Sequence, residues 1–131
     1  MTQDYCPFER AVQTVHFECS QSQKTFIGEK EGIVCTNSSA RLHCVKLASE
    51  LKKNARFALK LAKGNPVLTH GQDMKLKCGG LQALQQLLDR PRSDNDISAL
   101  IASALREFQS INELPFPAIM RVVSEYRLRR Q

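Results

Sequence analysis

Apolar residues recur every three or four positions through most of the chain beyond residue 39, and the rhythm shortens before it. Cys44, Leu47, Ala48, Leu51, Ala55, Ala58, Leu59 and Ala62 line one face, with Lys46, Ser49, Glu50, Lys53, Arg56 and Lys60 on the other. That pattern predicts an amphipathic helix over residues 39–63. Asn37, Ser38 and Ser39 supply capping oxygens at its start, and Gly64, Asn65 and Pro66 stop it. Leu81, Leu84 and Leu88, with Leu87 beside them, predict a second helix over 80–89, after a connector at 67–76 that holds His70 and Gly71 and has room for one short strand. Ile97, Leu100, Ile101, Ala104, Leu105, Phe108 and Ile111 form a third helical stripe, with Ser93 and Asp96 in a weak capping-box spacing ahead of it. Pro115 and Pro117 then break the chain. A last helix carries Phe116, Ile119, Met120, Val123 and Tyr126 and ends in Arg127, Arg129 and Arg130, where basic side chains suit the helix dipole.

The first 38 residues read differently. Cys6-Pro7-Phe8-Glu9 can open a short helix, with proline and glutamate suited to its first turn. Thr14 to Cys19 fits two periods: Val15, Phe17 and Cys19 share a strand face, while Phe8, Val12, Val15 and Cys19 share a helix face. Either period places Cys19 beside Val15, pointing inward. Ser20 to Gln23 reads as a turn. Lys24 to Gly28 and Gly32 to Cys35 read as two extended pieces about a glycine-bounded turn, with Ile33 and Cys35 on one face. The whole predicts an α+β, mostly α fold: short N-terminal strands or a helix, packed on a bundle of about four helices. Residues 1–131 form a single domain, with a cysteine-rich stretch at 1–38 and a helical part at 39–131.

Length and composition fit that picture. A domain of 131 residues buries roughly two thirds of its unfolded surface, so a core forms without staples. No apolar run approaches the ~18 residues of a membrane span. Met1 to Cys6 lacks a basic region followed by an apolar run, so the expected compartment is the reducing cytoplasm, and five cysteines are not a disulfide framework. The net charge of +6 suits an anionic partner, but the basic residues are dispersed. Six Phe, two Tyr and no Trp make a poor base-stacking platform for nucleic acid. The basic side of the 39–63 helix is either a solvated face or a docking surface for an acidic protein partner. The C-terminal helices either clamp the central one or form a homodimer surface.

The chemistry lies in the thiols. Cys6, Cys19, Cys35 and Cys44 are separated by twelve, fifteen and eight residues, and Cys78 follows much later. Cys35 precedes a helix N-terminus, which favours a thiolate. Cys78-Gly79-Gly80 places Cys78 at another, as a fifth metal ligand, a reactive thiol or a core residue. A catalytic pair of Cys78 with His70 or His43 would need contact between them, and no nucleophile signature accompanies it, so an enzyme is not expected. Three readings compete for the other four cysteines: a thiolate-bound metal centre, redox thiols, or small apolar residues in a core. Zinc sites usually carry Cys-x-x-Cys pairs, and none is present. Iron–sulfur clusters also take four cysteines and accept wide spacing, although no ferredoxin run is matched. His16, His43 and His70 are substitutes for a sulfur, with His43 on a different helix side from Cys44. The leading expectation is an iron–sulfur cluster on Cys6, Cys19, Cys35 and Cys44, used in electron transfer, cluster delivery or sensing, with Cys78 a further candidate ligand. Against it stand a structural zinc site and a helical adaptor or nucleic-acid-binding module whose cysteines only pack.

Overall fold

The computed structural model describes residues 5–14, 16–61 and 67–127. A short helix α1 (Glu9–Val12) leads into a hairpin of β1 (Ser22–Ile27) and β2 (Lys30–Cys35). Four longer helices follow: α2 (Ser38–Lys53), α3 (His70–Leu87), α4 (Ile97–Phe108) and α5 (Phe116–Glu125), with a single 3-10 turn at Ile111–Glu113 before the last. This is the mostly helical α+β architecture the periodicity predicts. The strands pair antiparallel, Ser22 opposite Cys35 and Ile27 opposite Lys30, and Gly28 takes φ +66° in the tight turn between them.

The third helix is the axis of the fold, and it is longer than its leucines suggest. It begins at His70, ten residues before the expected start. Thr69 and Gln72 form a full capping box: the Thr69 hydroxyl accepts the Gln72 N–H at 3.1 Å, and the Gln72 side chain accepts the Thr69 N–H at 2.9 Å. Helix α5 lies along it, and α1, α2 and α4 also pack on it. Cys78, Gly79, Gly80 and Leu81 are therefore buried in succession, as on a helix enclosed all round. Here the glycines mark close packing and not a helix start. A Cβ at Gly79 would lie 2.9 Å from the Val123 Cα, and one at Gly80 would lie 2.9 Å from the Leu51 Cδ1. Gly79→Ala is expected to lower stability by about 1–3 kcal/mol, because backbone must move. Gly71→Ala, with nothing within 4 Å, is expected to gain up to about 1 kcal/mol from helix propensity. Chemical denaturation of the two variants checks the contrast.

The second helix is shorter than expected. It stops at Lys53, where the Asn54 amide Nδ2 donates to the Glu50 carbonyl at 2.7 Å. A separate turn follows. Lys60 takes φ +56°, Leu61 N–H donates to Arg56 O at 2.8 Å and Lys60 N–H to Phe57 O at 3.3 Å, a Schellman closure. Ala55 and Leu59 stay buried on that turn, so the apolar rhythm runs on through a bend. The basic residues do not share one helical face: Arg56 and Lys60 lie beyond its end. The expected stop at Gly64, Asn65 and Pro66 lies outside the described residues, as do Val15, Ala62, Arg129 and Arg130.

Helix α4 is capped by Asp96 itself, whose carboxylate accepts the Ser98 N–H at 3.2 Å, and not by a Ser93–Asp96 box. One apolar core joins the parts, from Phe8, Ala11 and Ile33 through Leu47, Leu51, Leu76 and Leu84 to Ile97, Ile119 and Val123. Outside that core, Asp73 accepts from Arg10 and Lys77, each at 2.8 Å, and ties α1 to α3.

Candidate metal centre

Local hydrogen bonds tie the segments that carry Cys6, Cys19, Cys35 and Cys44 together around the open end of the hairpin. Tyr5 bridges to Val34, and the Cys6 N–H donates to the Ile33 carbonyl at 2.9 Å. In return the Ile33 N–H donates to the Glu9 carboxylate at 2.7 Å. Cys6 is thereby laid along β2, near its last residue, Cys35. Cys35 faces Ser22 across the ladder, and Ser22 donates both its N–H (3.1 Å) and its hydroxyl (2.8 Å) to the Cys19 carbonyl. The Arg41 guanidinium donates to the Tyr5 carbonyl at 2.9 Å, which fastens α2 to the same segment, and Cys44 follows one turn later.

Cys19 is held from the other side of the fold. The Glu18 N–H donates to Asn95 O at 3.0 Å, and the Ile97 N–H donates to Glu18 O at 2.8 Å. Asp96 accepts from the Ser20 N–H at 3.0 Å as well as from Ser98. These bonds hold Cys19 beside the first turn of α4, where the backbone of Gln21 and of Ser98 opposes the rise that burial gives its thiol. Residues 16–19 are neither the strand nor the helix that their periods suggested. They form a bridge to the α3–α4 connection, and Asp96 is the mounting residue that spacing alone does not single out. Its signal in the sequence is the Asp-x-Ser of a helix cap.

Burial dominates the electrostatics of these thiols. Burial pushes the Cys6 thiol up to about 11, against a bond from the Phe8 N–H that lowers it, and charge on Cys19 or Cys35 raises it further. Burial pushes the Cys44 thiol up to about 12, with charge on Cys6, Cys19 and Cys35 adding to the rise. Cys19 is also raised by burial, and Cys35 acts on it. Cys6 and Cys44 are buried, Cys19 and Cys35 half-buried, and all are free thiols. The Cys35 S–H donates to the Asn37 carbonyl at 3.2 Å.

Cys78 is elsewhere. It sits in the middle of α3, wholly buried, and not at a helix N-terminus. Burial raises its thiol, and the groups that act on it most are Tyr126, Thr14, Asp73 and Lys77. Tyr126 is itself pushed up to about 12 by burial and by Cys78. A neutral, enclosed thiol is the opposite of an activated nucleophile. His70 touches Arg10 at the start of α3, His43 is exposed on α2, and His16 lines a separate groove of about 760 Å³ with Phe17, Arg92 and Tyr126.

The donor set suits a soft metal. Thiols are the ligands that soft metals take, and four of them lie on segments tied together around the hairpin. Among the described residues, no three Cys, His, Asp or Glu side chains are placed to hold a single metal ion. Four thiolates on one zinc would lie ~3.8 Å from each other, given a Zn–S distance of ~2.3 Å. A polynuclear iron–sulfur cluster, with one thiolate on each of its corners, needs a wider ring. No helix among the described residues is long and apolar enough to cross a membrane. Set against family models, curated proteins and solved structures, the chain has no significant match in any of the three.

Proposed function

We propose that the protein carries an iron–sulfur cluster on Cys6, Cys19, Cys35 and Cys44, and serves in electron transfer, cluster delivery or sensing in a reducing compartment. What supports this reading is that hydrogen bonds tie together the segments bearing the four thiols: Cys6 to Ile33, Ser22 to Cys19, and Arg41 to Tyr5. Cys78 takes no part in it. When bound, the cluster supplies a one-electron redox centre. The chain's own residues hold the sulfurs, direct N–H groups at Cys6 and Cys19, and shield Cys6 and Cys44 from water. Such outer bonds and burial are the levers that tune a cluster's potential. An acidic protein is the partner that suits the basic residues of α2.

The test is direct. Purified without oxygen, the protein is expected to be brown and to contain iron and sulfide in stoichiometric amounts. Stoichiometric zinc without sulfide would move the reading to a structural site. A colourless, metal-free protein that melts cooperatively would leave the thiols as packing groups.

A further inference from the structure

The groove that His16 lines combines features that neither the core nor the thiols use. It measures about 760 Å³, the size of a small-molecule site, and no cysteine lines it. Hydrogen bonds fix its form. Gln85 is only 3% exposed, and its Nε2 donates to the carbonyls of Arg92 at 3.3 Å and Asp94 at 2.9 Å. The Asn95 Nδ2 donates to the His16 carbonyl at 3.1 Å. At the end of α5, Gly79 lets Tyr126 come close to α3: a Cβ on that glycine would lie 3.2 Å from the Tyr126 Cβ. The groove is thus preformed, and Arg92, Arg127 and Glu125 stand exposed along it. Among the described residues, no ion pair holds any of these three.

We infer that this groove binds a nucleoside monophosphate, whether or not the thiols hold a metal. The groups that share the space point to that class. Two guanidinium groups suit phosphate oxygens, which their planar forks meet with paired N–H bonds. Tyr126, half-buried, and Phe17, nearly enclosed, bring ring surface to the same groove. Such surface packs against the face or edge of a base. Glu125 supplies a carboxylate that accepts from sugar hydroxyls, and Gln82 an amide for a base edge. An inorganic anion would use the arginines and leave the rings and most of the volume unused. A long nucleic-acid strand needs a basic track with successive aromatic platforms, and a groove with two arginines, one glutamate and two rings is too short for that.

The experiment titrates the intact protein with AMP, GMP, CMP and UMP in turn by calorimetry, with the matching nucleosides and inorganic phosphate beside them. At least one monophosphate is expected to saturate at one per chain, and its nucleoside and free phosphate to bind at least about tenfold more weakly. Arg92→Glu and Arg127→Glu are each expected to weaken that monophosphate at least about tenfold. Arg121→Glu, the same charge change on α5 outside the groove, is expected to stay within about twofold. All three side chains are exposed, and Gln85 holds residue 92 through its backbone, so melting curves should match the parent. Equal weakening by Arg121→Glu would mean that net charge acts and not this groove, and would overturn the assignment. Free phosphate binding as tightly as the monophosphate would reduce the groove to a plain anion site and overturn the nucleotide. Binding of a single-stranded oligonucleotide with none of the four monophosphates, or no binding at all, would also overturn it.

Discussion

Cys44→Ser and Cys19→Ser proteins, prepared without oxygen, are expected to lose the visible absorption and the iron of the parent, while Cys78→Ser keeps both. The three substitutions make the same atomic change in different surroundings. Cys44 is nearly enclosed, and charge on each of the other three sulfurs reaches it. A hydroxyl there is a poor soft-metal ligand and opens one corner of the site. Cys19 is half-buried, and its neighbours Glu18 and Ser20 are hydrogen-bonded to the start of α4. Cys78 is wholly buried and faces Tyr126 and Thr14, so a serine there keeps polar company without touching the pocket. Burying a new hydroxyl at residue 44 costs about 1–3 kcal/mol by itself. Circular dichroism, and a Cys44→Ala protein without that hydroxyl, separate a lost ligand from a lost fold. Full iron in both the Cys19 and Cys44 variants would remove these residues from the ligand set.

Stripping the iron is expected to loosen the hairpin and leave the helical part intact. Amide exchange should accelerate by about a hundredfold or more over residues 22–35 and by little in α3 and α5. A two-stranded hairpin is marginal in water by itself. This one puts Ile33 into the core but leaves Phe26 65% exposed. The metal would tie its open end, at Cys19 and Cys35, to Cys6 and to α2. Structural metal sites in small peptides contribute about 10–16 kcal/mol, as much as the ~5–15 kcal/mol that holds a whole domain. Helices α3 and α5 rest instead on Leu76, Leu81, Leu84, Ile119 and Val123, all almost fully buried. Phe8 and Ala11 are enclosed too, so α1 should follow the helices and not the hairpin. Uniform acceleration through the chain would contradict this division.

The iron-free form should also show its thiols in its pH profile. Burial raises Cys6 to about 11 and Cys44 to about 12 from an ordinary 9.0. Below pH 9 these thiols are protonated in folded and unfolded chains alike, and their contribution to stability is constant. Above 9 the unfolded chain loses those protons first, so stability falls as pH rises towards 12. A Cys6→Ala, Cys44→Ala protein should lack that component of the fall. Iron uptake has the opposite sign, because each thiol must release its proton to bind, and affinity therefore rises with pH.

The chain's own pattern determined the secondary structure wherever burial has one side. The stripes of Ile97 to Phe108 and Phe116 to Val123 meet a single core, so their spacing alone predicts α4 and α5. The glycine turn between two short β runs predicts the hairpin in the same way. The pattern fails where burial is all round or turns a corner. Leu76 to Leu84 on α3 is enclosed by helices on several sides, so no stripe marks its first ten residues, and only the Thr69–Gln72 cap announces them. Ala55 and Leu59 keep the helical interval across a bend because both still face the core. As for the thiols, their number and type are written in the sequence, but the placing of the segments that carry them is not. It depends on Ser22 standing opposite Cys35, on Arg41 reaching Tyr5, and on Asp96 receiving the Ser20 N–H from more than seventy residues away. Contacts so distant along the chain leave no periodic trace, because each is one hydrogen bond between segments whose local patterns are independent. The same tertiary arrangement puts Cys78 in the middle of a buried helix and so parts it from the other four.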